Sequence, residues 1–127
     1  MRYRVLLRGS RFTLWAIEVA NGSCPVSEYL DSLEPRDRKR LMSLLNRTAE
    51  AGPPSNIEKF RKLDEEIYEL KSYQDRLLCF YLEGFVLVLT HGYKKKKDKM
   101  PPDELKRAKG LRAGFVKAGV GASRGRS

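Results

Sequence analysis

Between Leu77 and Thr90 almost every position is apolar, and only Glu83-Gly84 interrupts the run. Two short apolar stretches meeting at a turn, Arg76–Leu82 (RLLCFYL) and Phe85–His91 (FVLVLTH), have the pattern of strands covered on both faces. Just before them, Ile67–Lys71 (IYELK) alternates, with Tyr68 and Leu70 on one side and Ile67, Glu69 and Lys71 on the other. Ser72-Tyr73-Gln74-Asp75 and Glu83-Gly84 are too short to carry parallel crossovers, so the three strands are predicted as an antiparallel meander. Upstream, Arg11–Val19 is rich in aromatic and branched residues and predicts a further strand, closed by a turn at Asn21-Gly22.

Helical periodicity fills the space between. From Pro25, the residues Val26, Tyr29, Leu30 and Leu33 fall on one face. A second helix is predicted from Pro35 towards Ala51, with Leu41, Leu44, Leu45 and Thr48 inward, until Gly52-Pro53-Pro54 stops it. Its polar face, Arg36, Arg38, Lys39, Arg40 and Arg47, reads as a solvated surface. A loop holding Phe60 and Leu63 leads into the meander. A final helix is predicted from Pro101 to about Ala113, with Leu105, Ala108 and Arg112 on its inner side. The expected fold is α+β: a small antiparallel sheet with an N-terminal helical hairpin and a C-terminal helix, the helices on one face. Residues 1–113 form the single domain, and Gly114–Ser127, glycine-rich and basic, is expected to be a frayed tail.

Charge narrows the choice of partners. A net charge of +10 favours polyanions, because neutralised phosphates release condensed counterions. Cys24 and Cys79, far apart and outside any CxxC, read as reduced thiols. One histidine in the whole chain argues against a zinc site, and no cofactor is expected. No apolar stretch is long enough to span a bilayer and the basic start lacks a signal-peptide core, so a cytoplasmic protein without a membrane partner is expected. The chemistry gathers in FVLVLTHGYKKKKDKMPPDEL, Phe85 to Leu105. There a strand delivers His91, Tyr93 and the block Lys94–Lys97 to its solvent end, an arrangement suited to phosphate.

Three blocks resemble the RelE/HigB superfamily of bacterial toxins, in its phage-derived HigB-like branch. They are PVSEYLDSL (Pro25–Leu33), KLDEEIYELKSYQDRLLCFYLEG (Lys62–Gly84) and LVLTHGYKKKKDKMPPDELKRA (Leu87–Ala108), the last being the specific one. The likeness covers roughly Thr13 to Arg112. Three positions depart from the pattern. Lys71 replaces the usual arginine, a point charge for a bidentate fork. Glu66 stands for a glycine. Met100 replaces a threonine, removing a side-chain helix cap worth about 0.5–2 kcal/mol.

The resemblance implies an endoribonuclease, an mRNA interferase that is the toxin of a type II toxin-antitoxin pair and works on messenger RNA, in many relatives on the ribosome. Its partners would then be mRNA, rRNA and a cognate helix-turn-helix HigA-like antitoxin. Cleavage without metal needs a base for the 2′-hydroxyl, cations for the phosphoryl oxygens and an acid for the leaving 5′-oxygen. Arg76, Lys71, Lys94 and Lys95 are candidates for the cationic role, with Lys71, Lys96, Lys97 and Glu69 as the RNA contacts. His91 is a candidate general base or acid, its alternative being a satisfied structural histidine. Tyr93 stacks on a base, bonds the phosphate, or packs at the rim. Glu69 acts as base or pairs with Lys71 or Arg76, and pairing is favoured. The catalytic set on this reading is Arg76, His91, Tyr93, Lys94 and Lys95. The competing expectations are a non-catalytic basic RNA- or ribosome-binding module and an inactive remnant that only binds an antitoxin.

Overall fold

The computed structural model describes residues 1–96 and 101–119. The elements follow as β1 (Arg2–Arg8), β2 (Thr13–Glu18), α1 (Pro25–Ser32), α2 (Pro35–Ala51), β3 (Phe60–Lys62), β4 (Tyr68–Ser72), β5 (Asp75–Leu82), β6 (Val86–Lys94) and α3 (Pro102–Lys117). They build one six-stranded mixed sheet in the order β1-β2-β6-β5-β4-β3. The expected meander is present as β4-β5-β6, antiparallel throughout. The sheet is larger than expected, and it is not purely antiparallel. β2 lies parallel to β6, pairing Thr13 with Val86 and Ala16 with Leu89. The α1–α2 hairpin and the first three strands of the second half form the long connection that a parallel pair requires.

Strand alternation divides the core into two layers. Leu14, Ala16, Leu77, Cys79, Leu87 and Leu89 face α1 and α2, meeting Leu30, Leu41 and Leu45. Trp15, Ile17, Leu78, Phe80 and Val88 point the other way, onto Ala108 and Phe115 of α3. Helices therefore cover both faces, a correction to the one-sided packing expected. α3 also continues to Lys117, beyond the expected end at Ala113. Its Phe115 is fully buried, edge-on to Trp15 at 6.4 Å and Phe80 at 6.0 Å between ring centroids. Gly114–Lys117, about one turn of the expected tail, thus belong to α3; residues 120–127 lie outside the described residues. Met100 lies outside them too, and α3 begins at Pro102 behind Pro101, with no side-chain cap.

Two local features set the orientation of everything that follows. Arg38 leaves the basic face of α2 to close the end of α1, donating Nε to the carbonyl of Leu30 at 2.8 Å and Nη2 to that of Leu33 at 3.0 Å. In β6 the register shifts by one residue, so that Leu78 faces His91 while Cys79 faces Leu89. Thr90 is the extra residue of this bulge, its hydroxyl returned to the carbonyl of Leu78 at 3.2 Å. A bulge reverses which side chains point to which face. Beyond it, His91 and Tyr93 turn towards the α3 side, and Gly92 and Lys94 towards α1. Gly92 is required there: a Cβ would lie 2.5 Å from the Tyr29 ring and 2.8 Å from Leu77.

Candidate functional site

Across β4, β5 and β6 the register aligns Lys71 with Arg76 and Arg76 with Tyr93, one lateral row on the α3 face. Neighbouring strands are about 4.8 Å apart, so the row is about 10 Å wide. In the adjacent row Arg61 of β3 lies opposite Glu69, which lies opposite Leu78, which lies opposite His91. Glu69 is the anchor. It is only 1% exposed and accepts hydrogen bonds from the Tyr93 hydroxyl at 3.1 Å and from Arg61 Nε at 3.3 Å. The Arg76 Nε, buried and without a hydrogen-bond partner, stands 4.0 Å from the same carboxylate. Arg76 Nη1 instead donates to the carbonyls of Tyr73 and Asp75, tying the guanidinium to the β4–β5 turn.

Electrostatics follow from this packing. Burial, reinforced by the Glu69 carboxylate, pushes the Tyr93 phenol well above its usual range, so it remains a neutral donor. Lys71 moves the other way: burial and the positive charge of Arg61 disfavour its ammonium against the opposing pull of Glu69, with Arg76 and Lys95 adding smaller contributions. The backbone N–H of Lys95 donates to the Gln74 carbonyl at 2.7 Å, which places this lysine beside the β4–β5 turn. Arg61, Arg76 and Tyr93 thus converge on one carboxylate, with Lys71 in register beside Arg76 and Lys95 near enough to act on the charge of Lys71. Such a cluster offers several cations to anionic oxygens and one lysine eased towards its neutral form.

Some of the predicted residues are elsewhere. His91 is wholly buried, its Nδ1 3.1 Å from the Thr90 hydroxyl and its Nε2 2.9 Å from Glu104 of α3. It fastens α3 to the sheet and reaches no solvent, the geometry of the satisfied structural histidine given as its alternative, and it stands outside the Lys71–Arg76–Tyr93 row. Lys94 is also displaced from the set. The bulge sends it to the α1 face, where its Nζ is 3.1 Å from Asp75, which also accepts a 2.5 Å bond from the Tyr29 hydroxyl. Glu69 is enclosed by its partners, as pairing requires and as a free base does not allow. Lys96 is exposed beyond the strand, and Lys97 lies outside the described residues. Arg61 was missed because its strand has only three residues, too few for alternation to register. Among the described residues no cluster of histidine, cysteine and carboxylate side chains is placed to hold a metal ion. Nor is any helix among them long and apolar enough to cross a membrane.

The buried His91 gives a pH dependence of stability. Burial lowers its pKa below the ordinary 6.5, outweighing the opposing hydrogen bond to the Glu104 carboxylate, and Arg107 acts in the same direction as burial. The unfolded chain therefore takes up this proton first as pH falls. Stability is expected to be level above about pH 7 and to fall below about pH 6.5, by at most about 1.4 kcal/mol per pH unit from this group. Urea midpoints at pH 7.5, 6.5 and 5.5 should show the decline in the wild type and a flatter profile in His91→Gln. Parallel profiles would remove His91 as the cause.

The structure defines a three-helix, six-stranded α+β domain with a cationic row on one sheet face, and the family whose model it matches is a toxin-like one of the RelE/HigB type. More narrowly, residues 28–112 match the family described as phage-derived protein Gp49-like (DUF891), and the chain belongs to that family. No curated protein matches the chain at a significant level.

Proposed function

We propose that this chain is an endoribonuclease, the mRNA-cleaving toxin of a type II toxin-antitoxin pair, acting by attack of a ribose 2′-hydroxyl on the adjacent phosphorus. The observation that carries the reading is the Lys71–Arg76–Tyr93 row backed by the buried Glu69. In its neutral fraction Lys71 accepts the 2′-hydroxyl proton. The new P–O2′ bond forms as the P–O5′ bond breaks, and Lys95 returns a proton to the departing O5′. The products are a 2′,3′-cyclic phosphate and a 5′-hydroxyl. Arg61 and Arg76 meet the charge that grows on the phosphoryl oxygens, and Tyr93, held by Glu69, lines the position of the ribose.

Cation stabilisation and one proton transfer each contribute on the order of 10²–10³-fold. The remainder comes from positioning, which supports a reaction assisted by the ribosome, where rRNA holds the message in line. The restraining partner on this reading is a cognate helix-turn-helix antitoxin, the partner that the resemblance of the sequence implies.

Inducing the chain alone is expected to arrest growth, and co-expressing the neighbouring helix-turn-helix reading frame to relieve the arrest. Mapping RNA 5′ ends after induction, with and without active translation, should reveal new 5′-hydroxyl ends. Lys71→Ala is expected to reduce cleavage on the order of 10²-fold, and Lys94→Ala, on the other face, to stay within a few-fold of wild type. Arrest without new RNA ends would replace cleavage by binding alone. Equal losses in the two lysine variants would overturn the assignment of the face.

A further inference from the structure

Around the edge of the sheet from this row lies a cavity of about 620 Å³ between α2, the segment 54–59 and the β4–β5 turn. Arg36, Lys39, Arg40 and Arg47 line one wall, and Lys59 and Lys71 the other; no carboxylate is among its lining residues. The helix carries these cations from Arg36 to Arg47, about 16 Å at the rise of an α-helix, so they form a lane and not a point. The Arg40 guanidinium lies 4.1 Å from the centroid of the Tyr73 ring, with Asp37 at 3.9 Å on the same helix. Tyr73 itself is 69% exposed and sits in the turn at φ 57°, a strained conformation for a tyrosine. Lys71 belongs to both places: its side chain lines the cavity, and its register puts it in the row with Arg76.

We infer that this groove holds the single-stranded RNA flanking the cleaved bond, the strand passing from the Arg76 row over Lys71 and along α2. Phosphates follow the arginines and lysines, and a base stacks on Tyr73 at the turn, the combination of cationic track and aromatic platform that single strands use. Duplex RNA does not need an exposed ring, and an acidic protein segment does not need a lane that starts at the cleavage row. The inference rests on the cleavage reading only in placing the scissile bond at the Lys71 end.

The test uses 2′-O-methyl oligoribonucleotides, which bind but lack the attacking hydroxyl, so binding is measured apart from activity. The full chain and the Arg36→Ala, Lys39→Ala, Arg47→Ala triple variant are titrated against fluorescent 4-mer and 12-mer strands over a range of salt. The variant should bind the 12-mer roughly 10- to 100-fold more weakly at low salt, with a slope of log K against log salt shallower by about two. Its binding of the 4-mer should change by less than about threefold. An unshifted melting transition shows that the variant is folded; otherwise the pair Arg36→Gln and Arg47→Gln repeats the comparison. Unchanged affinity and slope for the 12-mer overturn the proposal. So do equal losses for both strands, which would mean net charge alone, or intact RNA binding with lost capture of the helix-turn-helix partner, which would give the groove to protein. A chain that loses 12-mer binding as expected but generates no RNA ends refutes the cleavage reading and leaves the groove in place.

Discussion

Glu69→Leu is expected to cost about 3–5 kcal/mol of stability, the range for removing one side of a buried ion pair. The carboxylate is 1% exposed, and its loss leaves Arg76, itself 8% exposed, as a buried cation with no counter-charge beside it. The Tyr93 hydroxyl loses its acceptor in the same step. Glu69→Gln keeps the shape and an amide oxygen, so it should cost less, about 1.5–3 kcal/mol. A domain of this size has roughly 5–15 kcal/mol in all, so the leucine variant should show a fall in Tm on the order of 10–20 °C. On the proposed function both variants should also lose the growth arrest caused by induction, because the row they support is displaced. Leucine and glutamine variants of equal stability, or either melting within about 3 °C of wild type, would show that Glu69 does not hold the cluster together.

Phe115→Ala is expected to be as damaging, at about 3–5 kcal/mol, the range for deleting a buried aromatic ring and leaving the void. The ring is fully buried between Trp15 and Phe80 and fixes the end of α3 against the sheet. Because it lies at the opposite end of α3 from Glu104, the loss should appear in urea midpoints and leave the row of Lys71, Arg76 and Tyr93 in register. Stability unchanged by this variant would mean that the helix ends near Ala113, as its composition suggests.

The contrast between these two positions shows what the chain's own pattern discloses. The meander was legible because strands buried on both sides are nearly continuous in apolar residues and the turns between them are short. The α1–α2 hairpin was legible from its stripe of Val26, Leu30, Leu41 and Leu45. The extension of α3 was hidden by glycines. Gly110 and Gly114 lower helix propensity, although Leu105, Ala108, Leu111 and Phe115 continue one apolar face through them. β1 was hidden by Arg2, Arg4 and Arg8, which occupy an exposed edge where only Tyr3, Leu6 and Leu7 are partly covered. The parallel pairing of β2 with β6 leaves no local signal, since it depends on which edge is open once both halves have formed.

For the site, the residue types were legible and their sides were not. Lys71, Arg76, Tyr93 and Glu69 emerge from alternation and from the resemblance, and they meet on one face. The register shift at Thr90 decides that Tyr93 joins them and Lys94 does not, and a one-residue bulge within an apolar strand has no mark in the sequence. His91 was placed by type alone. Its polar partners, Thr90 and Glu104, come from its neighbour and from a helix that follows it in the chain.

The order of strands has a consequence for how the chain emerges during synthesis. β6 sits between β2 and β5, yet it is the last strand made, 73 positions after its partner at Thr13. Until it arrives, β1–β2 and β3–β5 are separate fragments, each with an open edge available to other strands. A nascent molecule is therefore exposed to misassociation for most of its translation, and Arg76 and Tyr93 become neighbours only when the centre of the sheet is inserted.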